Sequence, residues 1–214
     1  MEAINYSLEP REDILKVIPQ NAIGNVLDVG CATGVLGKAL KEKGAKRVVG
    51  IEINQLLANE ARKNIDEVHC CNLENYAPLF KNKEFDLIIC ADVIEHLARP
   101  EVFLAQYLPF VKVGGYLVAS IPNVQYYFVI WSLLQGEWKY CDRGIFDRTH
   151  LRFFTLKSIK RFFHACGLEI VNIERNYRLR EQYCSHPRLA QFLSVGMLKN
   201  FFTFQYVILA RKRT

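Results

Sequence analysis

Nothing constrains the fold of this 214-residue chain more than Val26-Leu27-Asp28-Val29-Gly30-Cys31-Ala32-Thr33-Gly34. An apolar strand interrupted by one carboxylate runs into a turn of small residues. Val35, Leu36, Ala39 and Leu40 then recur at helical spacing, with Lys38, Lys41, Glu42 and Lys43 on the other side. The pattern predicts a buried parallel strand, a tight glycine turn and a helix N-terminus, where α/β sheets dock nucleotide-like ligands. Eighteen residues past Gly34, a second apolar strand, Val48-Val49-Gly50-Ile51, ends in Glu52. A carboxylate there is placed to accept hydrogen bonds from ribose hydroxyls.

Two ligand classes suit that layout. A dinucleotide needs G-x-G-x-x-G, so that backbone amides approach a pyrophosphate. Here Ala32 occupies the second glycine position, and no Tyr-x-x-x-Lys pair follows. S-adenosylmethionine has no phosphate. It needs close backbone approach and a carboxylate for its ammonium group, which Asp28 offers directly or through water.

The rest of the chain repeats the strand–helix alternation. Phe85-Asp86-Leu87-Ile88-Ile89-Cys90-Ala91 is a nearly continuous apolar run typical of a central parallel strand. Further strands are expected near 68–71 and 116–121, with helices at 10–18, 55–65 and 100–110. This order means βαβ units and a parallel sheet. After Pro122 the character changes. Tyr126, Tyr127, Phe128, Trp131 and Trp138 crowd together, and residues 139–152 turn polar and basic. The 122–154 stretch reads as a cover over the ligand end of the sheet, within one domain spanning 1–214. A helix at 156–166 and strands at 168–175 and 204–211 close the pattern, with a helix expected at 188–200.

At Asp28-Val29-Gly30-Cys31-Ala32-Thr33-Gly34 the chain resembles class I S-adenosylmethionine-dependent methyltransferases, whose first motif reads D-[VI]-G-C-G-x-G. Ala32 is the one departure. The run from Phe85 through Asp92-Val93-Ile94-Glu95-His96-Leu97 resembles the FD[LV]I-x-x-x-[DE]-VLEHL motif of the group that includes ubiquinone-pathway O-methyltransferases. Gly144-Ile145-Phe146-Asp147-Arg148-Thr149-His150-Leu151-Arg152-Phe153-Phe154-Thr155 is similar to a string in small bacterial methyltransferases associated with surface-polysaccharide and glycosyltransfer genes.

The resemblance implies a Rossmann-like fold, an α/β sheet of seven mostly parallel strands with one antiparallel edge strand. It implies S-adenosylmethionine as cofactor and S-adenosylhomocysteine as product. Gly30, Cys31, Ala32 and Gly34 would supply the close backbone, Asp28 the ammonium contact, and Glu52 the ribose contact. Ile53, Asn72 and Leu73 fall where this class holds adenine, and Asp92 is assigned to the cofactor at the tip of the fourth strand. If the chain continues there as a helix, Asp92, Glu95 and His96 share one face. Three readings stay open: His96 or Glu95, with His150, as general base; a divalent-metal site of Asp92, Glu95, His96 and His150; or a structural brace. The base is the expectation, and no metal is assigned. Arg143, Arg148 and Arg152 in the cover are candidates to clamp an anionic group, and Tyr126 to line the acceptor.

Charge bears on the partner. Residues 1–138 carry a net −4 and residues 139–214 a net +10. The basic half suits a phosphorylated acceptor, a membrane surface or nucleic acid. The acceptors rank as sugar, lipid-linked intermediate, quinone precursor and RNA hydroxyl. The seven cysteines (31, 70, 71, 90, 141, 166 and 184) include no C-x-x-C pair. That odd, scattered set reads as a reducing cytoplasm. The first residues lack the basic and apolar regions of a signal peptide, and no apolar run reaches the length of a spanning helix. Two rivals to a methyltransferase are an NAD-dependent oxidoreductase or epimerase and a catalytically silent adenosylmethionine-binding subunit.

Overall fold

Strands buried almost continuously along their length form the centre of the molecule. The computed structural model describes residues 9–75, 80–178 and 198–213. In chain order the strands are β1 (Asn25–Val29), β2 (Arg47–Glu52), β3 (Glu67–Cys70), β4 (Phe85–Ala91), β5 (Val111–Pro122), β6 (Leu168–Tyr177) and β7 (Thr203–Lys212). They form one sheet in the order β3-β2-β1-β4-β5-β7-β6. The first five are parallel, with Asp28 of β1 level with Gly50 of β2 and Ile89 of β4. The strand order reverses between β1 and β4, which opens the crevice for a ligand at their C-terminal ends. The antiparallel strand is β7, which sits one place in from the edge and pairs with both β5 and β6.

The helices are α1 (Glu12–Val17), α2 (Val35–Glu42), α3 (Gln55–Ala61), α4 (Pro100–Tyr107), α5 (Tyr127–Leu134), α6 (Leu156–Ala165) and the short α7 (Lys199–Phe202). Because strand side chains alternate between faces, the central strands feed two cores. Leu27, Val49, Ile88 and Leu117 meet Phe103 of α4 and Ile159 of α6. Val26, Val48, Leu87 and Val118 meet Ile14 of α1 and Leu36 of α2 on the other face. Local signals agree: Pro100 opens α4, and Thr155 with Ser158 closes a capping box on α6.

The 122–154 segment packs a small core of its own from Tyr126, Val129, Ile145 and Phe146, closed by Phe204 of β7. Asn123, fully buried, ties it down by donating to the carbonyls of Asn200 and Thr203, both at 2.7 Å. The helix expected at 188–200 falls mostly outside the described residues; the described α7 starts at Lys199 behind its N-cap Leu198. Among the described residues, no helix is long and apolar enough to cross a membrane.

Candidate active site

The turn after β1 hooks over the tip of β2. The amides of Gly30 and Cys31 both donate to the Ile51 carbonyl, at 2.8 and 3.0 Å. That bend needs left-handed backbone at Gly30, Ala32 and Gly34, with φ of 72°, 47° and 76°. For Ala32 the conformation costs roughly 1 kcal/mol or more. The Ala32 amide is held there by donating to Glu52 Oε2 at 2.9 Å, while Glu52 Oε1 accepts from the Asn54 amide at 2.8 Å. Glu52 is thus buried, and it latches the turn at the position where a ribose contact is expected. Each of its oxygens keeps a lone pair for a hydroxyl. So used, the Ala32 amide is not available to a pyrophosphate.

Asp28 is 2% exposed, and its Oδ2 has no hydrogen-bond partner among the described residues. Burial, and then the neighbouring charge of Glu52, pushes its carboxyl up to about 7. A buried carboxylate without a partner is unfavourable until a cation or donor reaches it. The ammonium of S-adenosylmethionine fits that need. Ile53, 66% exposed beside Glu52, offers an open apolar surface. Asn72 Oδ1 accepts from the Glu74 amide at 3.0 Å and closes an Asx turn, while Leu73 packs against the main core.

The tip of β4 departs from expectation. Asp92 has φ 56°, and only Ile94–His96 form a single 3₁₀ turn. No helix runs from 92 to 96, so Asp92, Glu95 and His96 do not share a helical face. Asp92 is instead drawn into a separate network. Its Oδ1 accepts from Ser120 Oγ at 2.7 Å and from Gln205 Nε2, and its Oδ2 accepts from Arg11 Nη1 at 2.6 Å. Arg11 also grips Asp13 through Nε and Nη2, both at 2.9 Å. Burial works against the Arg11 charge, but the hydrogen bonds to Asp13 and the charge of Asp92 outweigh it and raise its pKa. Sequence reasoning missed Arg11, Ser120 and Gln205, because no local pattern links them.

Glu95, His96 and His150 do converge. One ligand atom from each lies within 4.8 Å of the others, and the two imidazole centroids are 4.7 Å apart. Glu95 is 1% exposed, and neither carboxylate oxygen has a partner among the described residues. Burial first, then the charge of Asp92, raises its carboxyl well above the usual carboxylate range. The hydrogen bonds set the histidine tautomers. His96 Nδ1 lies 3.3 Å from the Thr149 carbonyl and 3.0 Å from Thr149 Oγ1. Thr149 Oγ1 donates to Asp147 Oδ1 at 2.6 Å, so it accepts from the ring. His150 Nδ1 stands 3.2 Å from the Ile145 carbonyl, which also only accepts. Both rings therefore carry the proton on Nδ1 and a lone pair on Nε2. Burial, and then the proximity of His96, lowers the pKa of His150. Asp147 and Thr149 went unassigned in the sequence although they stand in the quoted 144–155 string.

The cover is clipped to this site by its backbone. The amides of Leu151 and Arg152 donate to the Glu95 carbonyl at 2.8 and 3.0 Å. Arg152 also donates through Nη2 to the Ala98 carbonyl, which makes it a staple of the cover rather than a free clamp. Arg148 pairs with Asp142 at 2.9 Å on the surface. Tyr126 corrects the expectation of an acceptor wall: it is fully buried in the cover's own core, and its hydroxyl donates to the Arg178 carbonyl at 2.9 Å.

The profile of a family described as "Methyltransferase domain" matches residues 4–173. The Ubiquinone biosynthesis O-methyltransferase of Aromatoleum aromaticum is 27% identical over 156 residues, covering 69% of this chain and 65% of that protein. The mitochondrial Ubiquinone biosynthesis O-methyltransferase of Dictyostelium discoideum is 27% identical over 166 residues, 70% of this chain and 51% of its own length. The chain thus spans between half and two thirds of these relatives. A SAM-dependent methyltransferase from Archaeoglobus fulgidus superposes with a TM-score of 0.69 at 21% identity, covering 94% of this chain and 92% of that one; this likeness shows the fold.

Proposed function

The chain belongs to the class I S-adenosylmethionine-dependent methyltransferases, and on that premise we propose that it methylates a hydroxyl of a small or carrier-linked acceptor. A sugar or polysaccharide precursor is the first candidate. A quinone precursor follows, supported by the names of the relatives. The observation that carries the reading is the contact of His96 Nδ1 with the Thr149 carbonyl and hydroxyl, which turns Nε2 of the neutral ring into the free base beside Glu95 and His150.

When bound, S-adenosylmethionine supplies a methyl group on an electrophilic sulfonium. Asp28 receives the ammonium and Glu52 the ribose hydroxyls, which orients the ligand at the switch point. A hydroxyl is a weak nucleophile at neutral pH, so the acceptor needs to lose its proton as it attacks. His96 Nε2 takes that proton. The charge that arises on the ring is stabilised from Nδ1 through Thr149 Oγ1 to the Asp147 carboxylate. The cover, held to Glu95 by Leu151 and Arg152, excludes water from this transfer.

A second reading draws on the same trio. Glu95, His96 and His150 would hold a divalent cation such as Mn²⁺, Fe²⁺ or Zn²⁺, which would lower the pKa of the acceptor hydroxyl. Asp92 takes no part in it, since Ser120, Gln205 and Arg11 occupy its oxygens.

Calorimetric titration with S-adenosylhomocysteine, with NADH as control, tests the premise. Micromolar binding of the former alone supports it, and binding of NADH alone overturns it. Repeating the titration after EDTA and then with Mn²⁺ or Zn²⁺ separates base from metal. Cofactor binding without product against a panel of sugar and quinone-precursor acceptors would mark a silent binding subunit.

A further inference from the structure

The chain leaves β4 through Asp92, whose φ of 56° lies in the left-handed region where only glycine sits freely. Such backbone persists where the surroundings fix it, and here three elements distant in the sequence do so. Ser120 of β5, fully buried, accepts from the Asp92 amide at 3.0 Å and donates back to Asp92 Oδ1 at 2.7 Å. Gln205 of β7 donates to the same oxygen. Asp92 Oδ2 accepts from Arg11, the N-cap of α1, at 2.6 Å.

Arg11 is itself held in place. Its Nε and Nη2 donate to the two carboxylate oxygens of Asp13, both at 2.9 Å, and Nη2 also donates to Gln205 Oε1 at 3.2 Å. Asp13 Oδ2 accepts in turn from Asn176 of β6 at 2.6 Å. Next to this fork, Ile14, Leu15 and Val17 bury α1 in the second core. A guanidinium bridging two carboxylates has no equivalent in the point charge of a lysine. The network thus ties α1 to the same end of β4, β5, β7 and β6.

The turn that Asp92 begins gives this tie its consequence. The His96 amide closes it by donating to the Val93 carbonyl at 3.0 Å. The Glu95 carbonyl within it receives the amides of Leu151 and Arg152, and so anchors the cover that carries Thr149, the partner of His96 Nδ1. One turn therefore bears both His96 and the attachment of the cover that orients its ring.

We propose that Arg11 is a positioning residue for the reaction: acting through Asp92, it fixes the turn that presents His96 and anchors the cover. The proposal rests on the reading of His96 as the base.

Histidine-selective nitrogen-15 NMR of the full chain, beside backbone hydrogen exchange, tests it without an acceptor. The chain has five histidines, and His96→Gln identifies the signals of interest. At about pH 8, where an imidazole is neutral, Nδ1 of His96 should read as protonated and Nε2 as bare. Arg11→Met should move both nitrogens toward the values of a ring exchanging between tautomers. It should also speed exchange of the Leu151 and Arg152 amides about tenfold or more. The Gly30 and Cys31 amides, S-adenosylhomocysteine affinity and far-UV circular dichroism should stay unchanged. Arg11→Lys should give the same changes in smaller measure, and it carries the comparison should Arg11→Met fail to fold. Asp92→Asn keeps an acceptor for Ser120 and tolerates the left-handed backbone, but it loses the charge that Arg11 meets. Adding Arg11→Met to Asp92→Asn should therefore change the exchange rates less than about twofold further.

Three results would overturn the proposal alone: His96 signals that neither Arg11 variant moves, full additivity in the double variant, and equal speeding of the Gly30 and Cys31 amides, which would make Arg11 a general brace of the fold. A parent chain with His96 protonated on Nε2 would instead overturn the reading of His96 as base, and the proposal with it.

Discussion

The two ends of the active site are built in different ways. At the tips of β1 and β2, one short turn and one strand end make the proposed cofactor region, and backbone amides do most of the holding. At the tip of β4, side chains from the N-cap of α1, β5, β7 and the cover converge, and almost every contact is long-range. The first region is pre-shaped by local geometry and keeps an unpartnered buried carboxylate at its centre. The second depends on the cover staying in place. Binding and turnover should therefore separate under mutation.

The largest expected effect is at His96. His96→Ala should lower turnover by about 10²–10⁴-fold and change S-adenosylhomocysteine affinity little, as read by steady-state kinetics beside calorimetry. Equal losses in both would break the division between the two ends. Asp28→Asn should act in the opposite sense. It should weaken S-adenosylhomocysteine binding by about tenfold or more and raise the stability of the unliganded protein by roughly 1–3 kcal/mol, because an unpaired buried charge is removed. Chemical denaturation with and without ligand reads both quantities.

A pH series sharpens the same point. Asp28 moves from an ordinary value of 3.8 to about 7 in the folded chain. Its proton is bound more tightly when folded, so its ionisation penalises folding progressively as pH rises from 3.8 toward 7 and is constant above that. An ammonium needs the ionised form. S-adenosylhomocysteine affinity should accordingly climb about tenfold between pH 6 and pH 8 and then level off, and Asp28→Asn should flatten the climb. Thr149→Val has the smallest expected effect. Without the Thr149 hydroxyl, His96 keeps only the Thr149 carbonyl as Nδ1 partner, so kcat should fall several-fold, with cofactor affinity unmoved.

Legibility follows the same division. Asp28, the left-handed turn and Glu52 lie within 25 residues of one another and were readable as strand, turn and strand. Even there, the double duty of Glu52 was hidden, because its bond to the Ala32 amide depends on how closely the turn folds over β2. Gly50 is a further case: a Cβ at that position would stand 2.5 Å from Cys31 Sγ, a clash visible only once the strands are paired. Glu95, His96 and His150 were recognised as a set, although the helix invoked to unite the first two does not exist. Tyr126 was misjudged because an aromatic in a cover reads alike whether it faces a ligand or the cover's own core.

The sequence by itself determined the doubly wound sheet, the order of strand and helix, and the turn between β1 and α2 proposed to hold the cofactor, because hydrophobic period and turn chemistry act between near neighbours. Tertiary structure alone decided the chemistry at β4. Arg11 and Gln205 stand 194 positions apart, yet Asp92 accepts from both. The proton on His96 is placed by a threonine 53 residues away. Such contacts arise from strand order and from the way the cover folds back, neither of which leaves a periodic trace in the chain.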